Sequence, residues 1–166
     1  MKWIKYTILF FLAAVLTLLD TSFFANIAVG NASIVSVFQL VIFFAILAEA
    51  KNYYFFAASA IILFSIFSSL PVWLIFLLFF LLPSAILYLR KGHLALPSVP
   101  ATMILFTIAN LLFEIILLSY AKEWNKSGFS SLYYFIFINT IFGTILYYLF
   151  HLFLNITTRG RKNKNF

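Results

Sequence analysis

Val72–Leu89 reads VWLIFLLFFLLPSAILYL, without a single charged residue. A helix needs about 20 mostly apolar residues to cross the hydrocarbon of a bilayer, with about 17 as a lower limit. Five more stretches have the same character, over residues 4–19, 33–48, 53–70, 101–120 and 132–154. Between Trp3 and Leu154 there are four acidic residues and, beyond Lys5, five basic ones, most of them between the stretches. Hydrocarbon offers the backbone no hydrogen-bond partners, so segments of such uniform apolarity cross it as helices. A transmembrane β-barrel would alternate apolar and polar residues over about 10 positions, and these runs do not. The expectation is an all-α, polytopic membrane protein. Residues 1–155 form one bundle of six transmembrane helices, and residues 156–166 form a basic tail read as disordered.

The composition narrows the function classes. The chain has 166 residues, 65% of them hydrophobic and 9% charged, which leaves no room for a separate soluble domain. It has no cysteine, so disulfide scaffolds, thiolate metal sites and cysteine nucleophiles are excluded. The net charge of +7 resembles a nucleic-acid signal until it is mapped onto the loops. With a cytoplasmic N-terminus, nine of the eleven basic residues collect inside: Lys2, Lys5, Lys51, Arg90, Lys91, Arg159, Arg161, Lys162 and Lys164. Only Lys122 and Lys126 remain outside. That is the positive-inside distribution, and it favours six crossings with both termini cytoplasmic. No nucleic-acid partner is expected. The 23 phenylalanines accompany abundant isoleucine, asparagine and lysine. This reads partly as AT-rich codon bias and gives individual phenylalanines little functional weight.

Punctuation along the chain fits this plan. The first helix ends near Asp20. A cleaved signal peptide is the rival reading of that region, with small residues near Ala25 and Ala28, but Asn26 and Ile27 occupy positions where small residues are wanted. Pro71 follows Ser68-Ser69-Leu70 and marks a tight outer hairpin. Pro83 is expected to kink the fourth helix. Residues 90–100, with Pro97 and Pro100, form the main cytoplasmic loop.

Few side chains are candidates for chemistry. Glu114 lies inside the fifth helix, about 10 Å below its outer end at 1.5 Å per residue. Ionisable groups at such depth face the bundle interior or a wet cavity. Asn110 and Thr107 share its helix face. Depth matching with the antiparallel sixth helix points to Asn139 as its partner, with Thr140 beside it. A packing contact is the bland reading of Glu114; a grip on a partner helix and an ion relay are the sharper ones. Gly143, four residues after Asn139, is a small residue suited to close helix packing. Serines in the third helix, Ser59 and Ser65 among them, suit close packing too. Asp20 is expected to pair at the surface with Lys122 or Lys126, and at the inner face Glu49 has two candidate partners, His151 and Lys51. Arg159, Arg161, Lys162 and Lys164 are candidates for contact with anionic lipid or a cytoplasmic partner. Signatures of metalloproteases, phosphate loops and catalytic triads are missing, and no enzymatic activity, cofactor or metal is expected.

Six helices, this length and a basic tail resemble the MreD family of bacterial rod-shape-determining membrane proteins. Leu18-Leu19-Asp20-Thr21-Ser22-Phe23-Phe24 is similar to that family's leucine-rich, then polar, exit from the first helix. Phe67-Ser68-Ser69-Leu70-Pro71 is similar to its turn after the third helix. The chain departs from the pattern where glycines and an acid usually precede that turn, here residues 58–66 without an acid, and where Val72 and Trp73 follow it. The resemblance implies a non-enzymatic scaffold of the bacterial cytoplasmic membrane. Such a scaffold helps to organise lateral cell-wall elongation and binds a bitopic MreC-like protein. The family's fold is also similar to the substrate-binding subunits of energy-coupling-factor transporters, which supplies the alternative of a small-molecule-binding subunit. Such a subunit needs an outer pocket with converging polar groups. The chain offers Asn26, Asn31, Gln39, Trp124 and Asn125 for one.

Overall fold

The computed structural model describes residues 2–24, 32–47, 50–93, 98–122 and 125–162. Among them the chain forms six helices and no sheet. Helix α1 (Lys2–Leu18) runs directly into a π-helical turn, Leu19–Phe23. Helices α2 (Ser36–Leu47) and α3 (Ala50–Phe67) follow. Helix α4 is one continuous rod made of Val72–Phe76, a π-helical turn Leu77–Leu81, and Leu82–His93. Helices α5 (Val99–Ala121) and α6 (Lys126–Lys162) complete the chain. Five of the six are long and apolar enough to cross a membrane. The protein is a multi-pass helical membrane protein.

The sixth helix, α2, is different. Its 12 residues span about 18 Å, well short of a hydrocarbon layer of about 30 Å. Nine of those residues are buried, from Ser36 and Val37 to Ala45 and Ile46. α2 is therefore the central post of the bundle. α1, by contrast, lies at the periphery, with Trp3, Ile4, Ile8 and Phe11 exposed.

Helix directions follow from which ends touch. Tyr6, early in α1, packs on Phe55, early in α3, with ring centroids 4.7 Å apart. Phe44, late in α2, packs on Phe56, early in α3, at 4.8 Å. The Tyr53 hydroxyl, early in α3, donates to the Phe80 carbonyl at 2.9 Å, near the middle of α4, and lies 2.8 Å from Ser84 Oγ. Trp73 at the start of α4 meets Tyr120 at the end of α5. Successive helices therefore alternate in direction. α1, α3 and α5 begin at one end of the bundle, called here the basic end, and α2, α4 and α6 begin at the far end.

Local sequence accounts for the helix boundaries. Ser98 caps α5, its Oγ accepting from the Ala101 N–H, and Pro100 sits in the first turn where a missing N–H does no harm. Lys122 closes α5 in the left-handed region at φ 57°. Asn125 Oδ1 accepts from the Gly128 N–H at 2.9 Å and caps α6. Pro71 precedes α4 with extended backbone, so the expected tight hairpin forms over 68–71. Pro83 does not break α4. The π-helical turn just before it widens the helix where the proline ring crowds the preceding turn. The Tyr53 hydroxyl bonds a carbonyl of that same turn.

α6 continues as helix to Lys162 and does not end near Leu154. No proline follows Pro100 to stop it, and each added residue adds one hydrogen bond. The backbone at Arg159, Arg161 and Lys162 is thus helical, whereas Lys164 lies outside the described residues. Also outside them are Ala25–Ala28, the small residues of the rival signal-peptide reading, Asn31, Trp124, and Glu49, the candidate partner of His151.

One aromatic chain joins five of the helices. Phe64 of α3 meets Phe79 of α4 at 4.9 Å. Phe79 meets Phe38 of α2 at 5.8 Å, and Phe38 meets Phe113 of α5 at 4.3 Å. Phe113 stacks on Phe135 of α6 at 5.4 Å with an interplanar angle of 6°. Such pairs are worth about 0.5–1.5 kcal/mol each beyond area burial. That matters in lipid, where burying apolar surface against another helix is not itself a driving force. These phenylalanines carry much of the packing between helices.

Reporter fusions after Lys51, Lys91 and Phe166 are expected on one side of the membrane, the cytoplasmic side by charge, and a fusion after Lys126 on the other. A fusion after Lys126 that reads with the first three would overturn the alternation.

Candidate functional site

In lipid, each unsatisfied backbone group costs several kcal/mol, and non-helical backbone survives at depth only when buried in protein or lining a wet cavity. Residues 33–35 are such a segment, leading into α2. Their depth is set by Asn110, which stands 11 residues from Val99 and 11 from Ala121, at the middle of α5. Gln39 reaches Asn110, with Nε2 donating to Oδ1 at 2.7 Å. Val35 is one turn from Gln39 toward the far end, about 6 Å away. α2 therefore starts inside the membrane.

Its first amides are satisfied from other helices. Asn139 Oδ1 on α6 accepts from the Val35 N–H at 3.0 Å, while its Nδ2 donates to the Ser33 carbonyl at 3.0 Å and to the Phe135 carbonyl at 3.1 Å. Asp20 on the π-helical turn of α1 takes the next two. Oδ1 accepts from the Ser36 N–H at 2.9 Å and the Ser36 hydroxyl at 2.6 Å, and Oδ2 accepts from the Val37 N–H at 2.9 Å. A carboxylate at a helix N-terminus also meets the positive end of the macrodipole. The expected surface pair between Asp20 and Lys122 or Lys126 does not form. Asp20 is buried because it continues the inward face of α1 after Leu9, Ala13 and Thr17 at helical spacing.

The amides of Gln39, Asn110 and Asn139 form one cluster. Gln39 Nε2 also donates to Asn139 Oδ1 at 3.2 Å, and Asn110 Nδ2 donates to Thr140 Oγ1 at 3.4 Å. Gly143 makes this approach possible. A Cβ there would lie 2.5 Å from the Phe106 ring and 2.9 Å from Gln39 Oε1. Among the described residues, every buried side-chain polar atom has a hydrogen-bond partner. Gln39, a candidate for an outer pocket, is instead fully buried in the cluster.

Glu114 faces protein and its partner is on α6, but that partner is Ser131, not Asn139. The Ser131 hydroxyl donates to Glu114 Oε1 at 2.9 Å, about two turns nearer the far end than Asn139. Asn139 is occupied by the α2 start. Thr107 is only half-buried and bonds back to the Met103 carbonyl, so it does not join Asn110 and Glu114. Ser59 and Ser65 likewise donate to carbonyls one turn back within α3, at Phe55 and Ile61. Glu114 and Ser131 line a cavity of about 250 Å³ with Ala32, Ser33 and Phe135. A second cavity, about 410 Å³, lies between α4 and α5, and the described residues that wall it are all apolar, among them Leu81, Ala85, Leu105 and Ala109. No group of three or more His, Asp or Glu able to hold a metal occurs among the described residues.

Comparison with known proteins finds no matching family model, curated protein or solved structure.

Two outcomes test the assignment of roles. Asp20→Asn is expected to cost about 1–3 kcal/mol by unfolding in bicelles, because an amide offers one acceptor where three donors converge and turns an N–H toward another. Glu114→Gln is expected to cost far less, since its amide oxygen still accepts from Ser131; equal losses would reject the distinction. Gly143→Ala should lower stability by about 1–3 kcal/mol through overpacking. Adding Phe106→Leu should return part of that loss in a double-mutant cycle, and strict additivity would count against the contact.

Proposed function

We propose that the protein is a non-catalytic membrane scaffold that holds a partner's transmembrane helix, as an MreD-like subunit does in cell-wall elongation. The observation that supports this is the division of polar and apolar groups. Among the described residues, Gln39, Asn110, Asn139 and Thr140 bond one another, and Asn139 and Asp20 bond the start of α2. The groove between α4 and α5 is apolar along its length. Its lining runs from Leu77 to Leu89 on α4 and from Leu105 to Ile116 on α5, about 17–18 Å on each. That is three turns of a helix, with Ala85 and Ala109 as small residues that let a backbone come close. The resemblance noted above supplies the partner class, a bitopic protein, and a bacterial cytoplasmic membrane, and the charge distribution supports termini on its cytoplasmic side. The basic residues near the C-terminus then add attraction to anionic headgroups, each worth about 1 kcal/mol.

A second reading, a small-molecule-binding subunit, is favoured by one observation, the cavity at Glu114.

Photo-crosslinking residues at Leu81, Leu89 and Leu112, exposed along the groove, are expected to capture one single-span membrane protein in the native host. Positions Ile4 and Phe11 on α1 should not. Depletion should widen or round the cells and disperse wall insertion. Unchanged shape and wall growth on depletion would reject the scaffold reading, whatever the crosslinks show.

A further inference from the structure

Helix α4 is tied down most firmly over its first half. Trp73 meets Tyr120 of α5 at 5.9 Å, and Phe79 packs between Phe38 and Phe64. The Phe80 ring lies 5.9 Å from Tyr54 of α3. All three contacts precede Pro83. After it, Tyr88 is 79% exposed and Leu89 52%. Space opens on both flanks of this second half. Toward α5 lies the groove of about 410 Å³. Toward α3 lies a cavity of about 400 Å³, whose described lining includes Tyr54, Ser84 and Tyr88. Leu81 and Ala85, one turn apart, form the ridge between the two. The third face, with Pro83, Ile86 and Leu87, is buried.

The two halves meet where the helix is irregular. The π-helical turn Leu77–Leu81 and the missing N–H of Pro83 interrupt the regular ladder of backbone bonds. Such sites are where helices bend. One side chain spans the joint. The buried Tyr53 of α3 has a single hydroxyl proton, which it gives to the Phe80 carbonyl inside the turn. Its oxygen therefore accepts from the Ser84 hydroxyl, just after Pro83, at 2.8 Å. Tyr53 thus grips α4 on both sides of the joint.

We propose that the half of α4 after Pro83 is a lever that swings between α3 and α5 about the π-helical turn, with Tyr53 as its latch. A swing toward α5 narrows the groove and widens the cavity beside Tyr54. The return swing does the reverse. The arm from Pro83 to Leu89 is about 9 Å long. A change of about 20° in the bend therefore moves Leu89 by about 3 Å. Whatever binds the open groove better than the narrow one holds the lever outward. The swing belongs to the helix itself and stands whether or not a partner helix occupies the groove.

The chain has no cysteine, so spin labels can be placed without removing native thiols. The test is double electron–electron resonance on the full chain in nanodiscs. One pair, Ile4→Cys with Leu89→Cys, joins α1 to the lever at the basic end. A reference pair, Leu18→Cys with Val72→Cys, joins α1 to the tied half of α4 at the far end. All four positions are exposed. The basic-end pair should give two distances differing by about 3 Å, and the reference pair one. Tyr53→Phe removes only the hydroxyl. It should change the ratio of the two distances by about threefold, the worth of one average intramembrane hydrogen bond, and leave the reference pair alone. Pro83→Ala restores the N–H and should merge the two distances into one. Four results would overturn the proposal. The first is a basic-end distribution as narrow as the reference in the unmodified chain. The second is a ratio that Tyr53→Phe leaves unchanged. The third is a pair of distances that survives Pro83→Ala. The fourth is a reference pair that changes as much as the basic-end pair, because the bundle then loosens as a whole.

Discussion

Three consecutive backbone amides, those of Val35, Ser36 and Val37, open a helix inside the membrane, and none has a partner in its own helix. Leaving one such group bare in hydrocarbon costs several kcal/mol. An ordinary intramembrane side-chain bond contributes about 0.6 kcal/mol on average. Satisfying the start of α2 is therefore the largest polar demand in the bundle, and it decides where α1 and α6 sit. Asp20 must come from α1 and Asn139 from α6, and both must reach the same two or three residues. α2 cannot shift along its axis without uncovering an amide.

Other features follow from that fixed point. With α2 held, Gln39 is carried to the middle of α5, where Asn110 receives it. The same placement presses α2 and α5 onto α6, which only a glycine at 143 permits. The aromatic chain from Phe64 to Phe135 then closes around the post from the other side. The polar cluster specifies register because each amide needs a particular partner. The rings add adhesion that tolerates small sliding. In a membrane, where apolar contact alone does not favour protein over lipid, a bundle needs both.

Helix number and order were legible because charge-free runs near 18 residues have one economical outcome in lipid. So were the proline hairpin at Pro71, the inward placement of Glu114 on a contact with the sixth helix, and Gly143 as a packing site. The break before α2 was not legible, because residues 33–48 are as apolar as any spanning run and hydropathy cannot register a helix that begins midway. Asp20 carried a usable signal that charge counting overrode: Leu9, Ala13, Thr17 and Asp20 share one face. Depth alone points Glu114 to Asn139, and depth does not say which polar group on the facing helix is free to bond. Ser131 stands eight residues earlier on the same face, and Asn139 was already claimed by backbone that no side-chain pattern reveals. The phenylalanine chain was hidden by abundance, since 23 rings offer no contrast.

The two intramembrane acids thus exchange the roles that position along the helices suggests. Asp20, close to a helix end, is the structural one: its two oxygens receive three donors from a single helix start. Glu114, deeper in its helix, stands at the wall of a cavity, with a serine hydroxyl on one oxygen. A carboxyl whose acceptor sites are filled by backbone N–H groups is a fixed part of the fold, because any ligand would have to displace bonds that lipid cannot replace. Depth alone therefore does not mark a functional acid in a membrane bundle; the nature of its partners does.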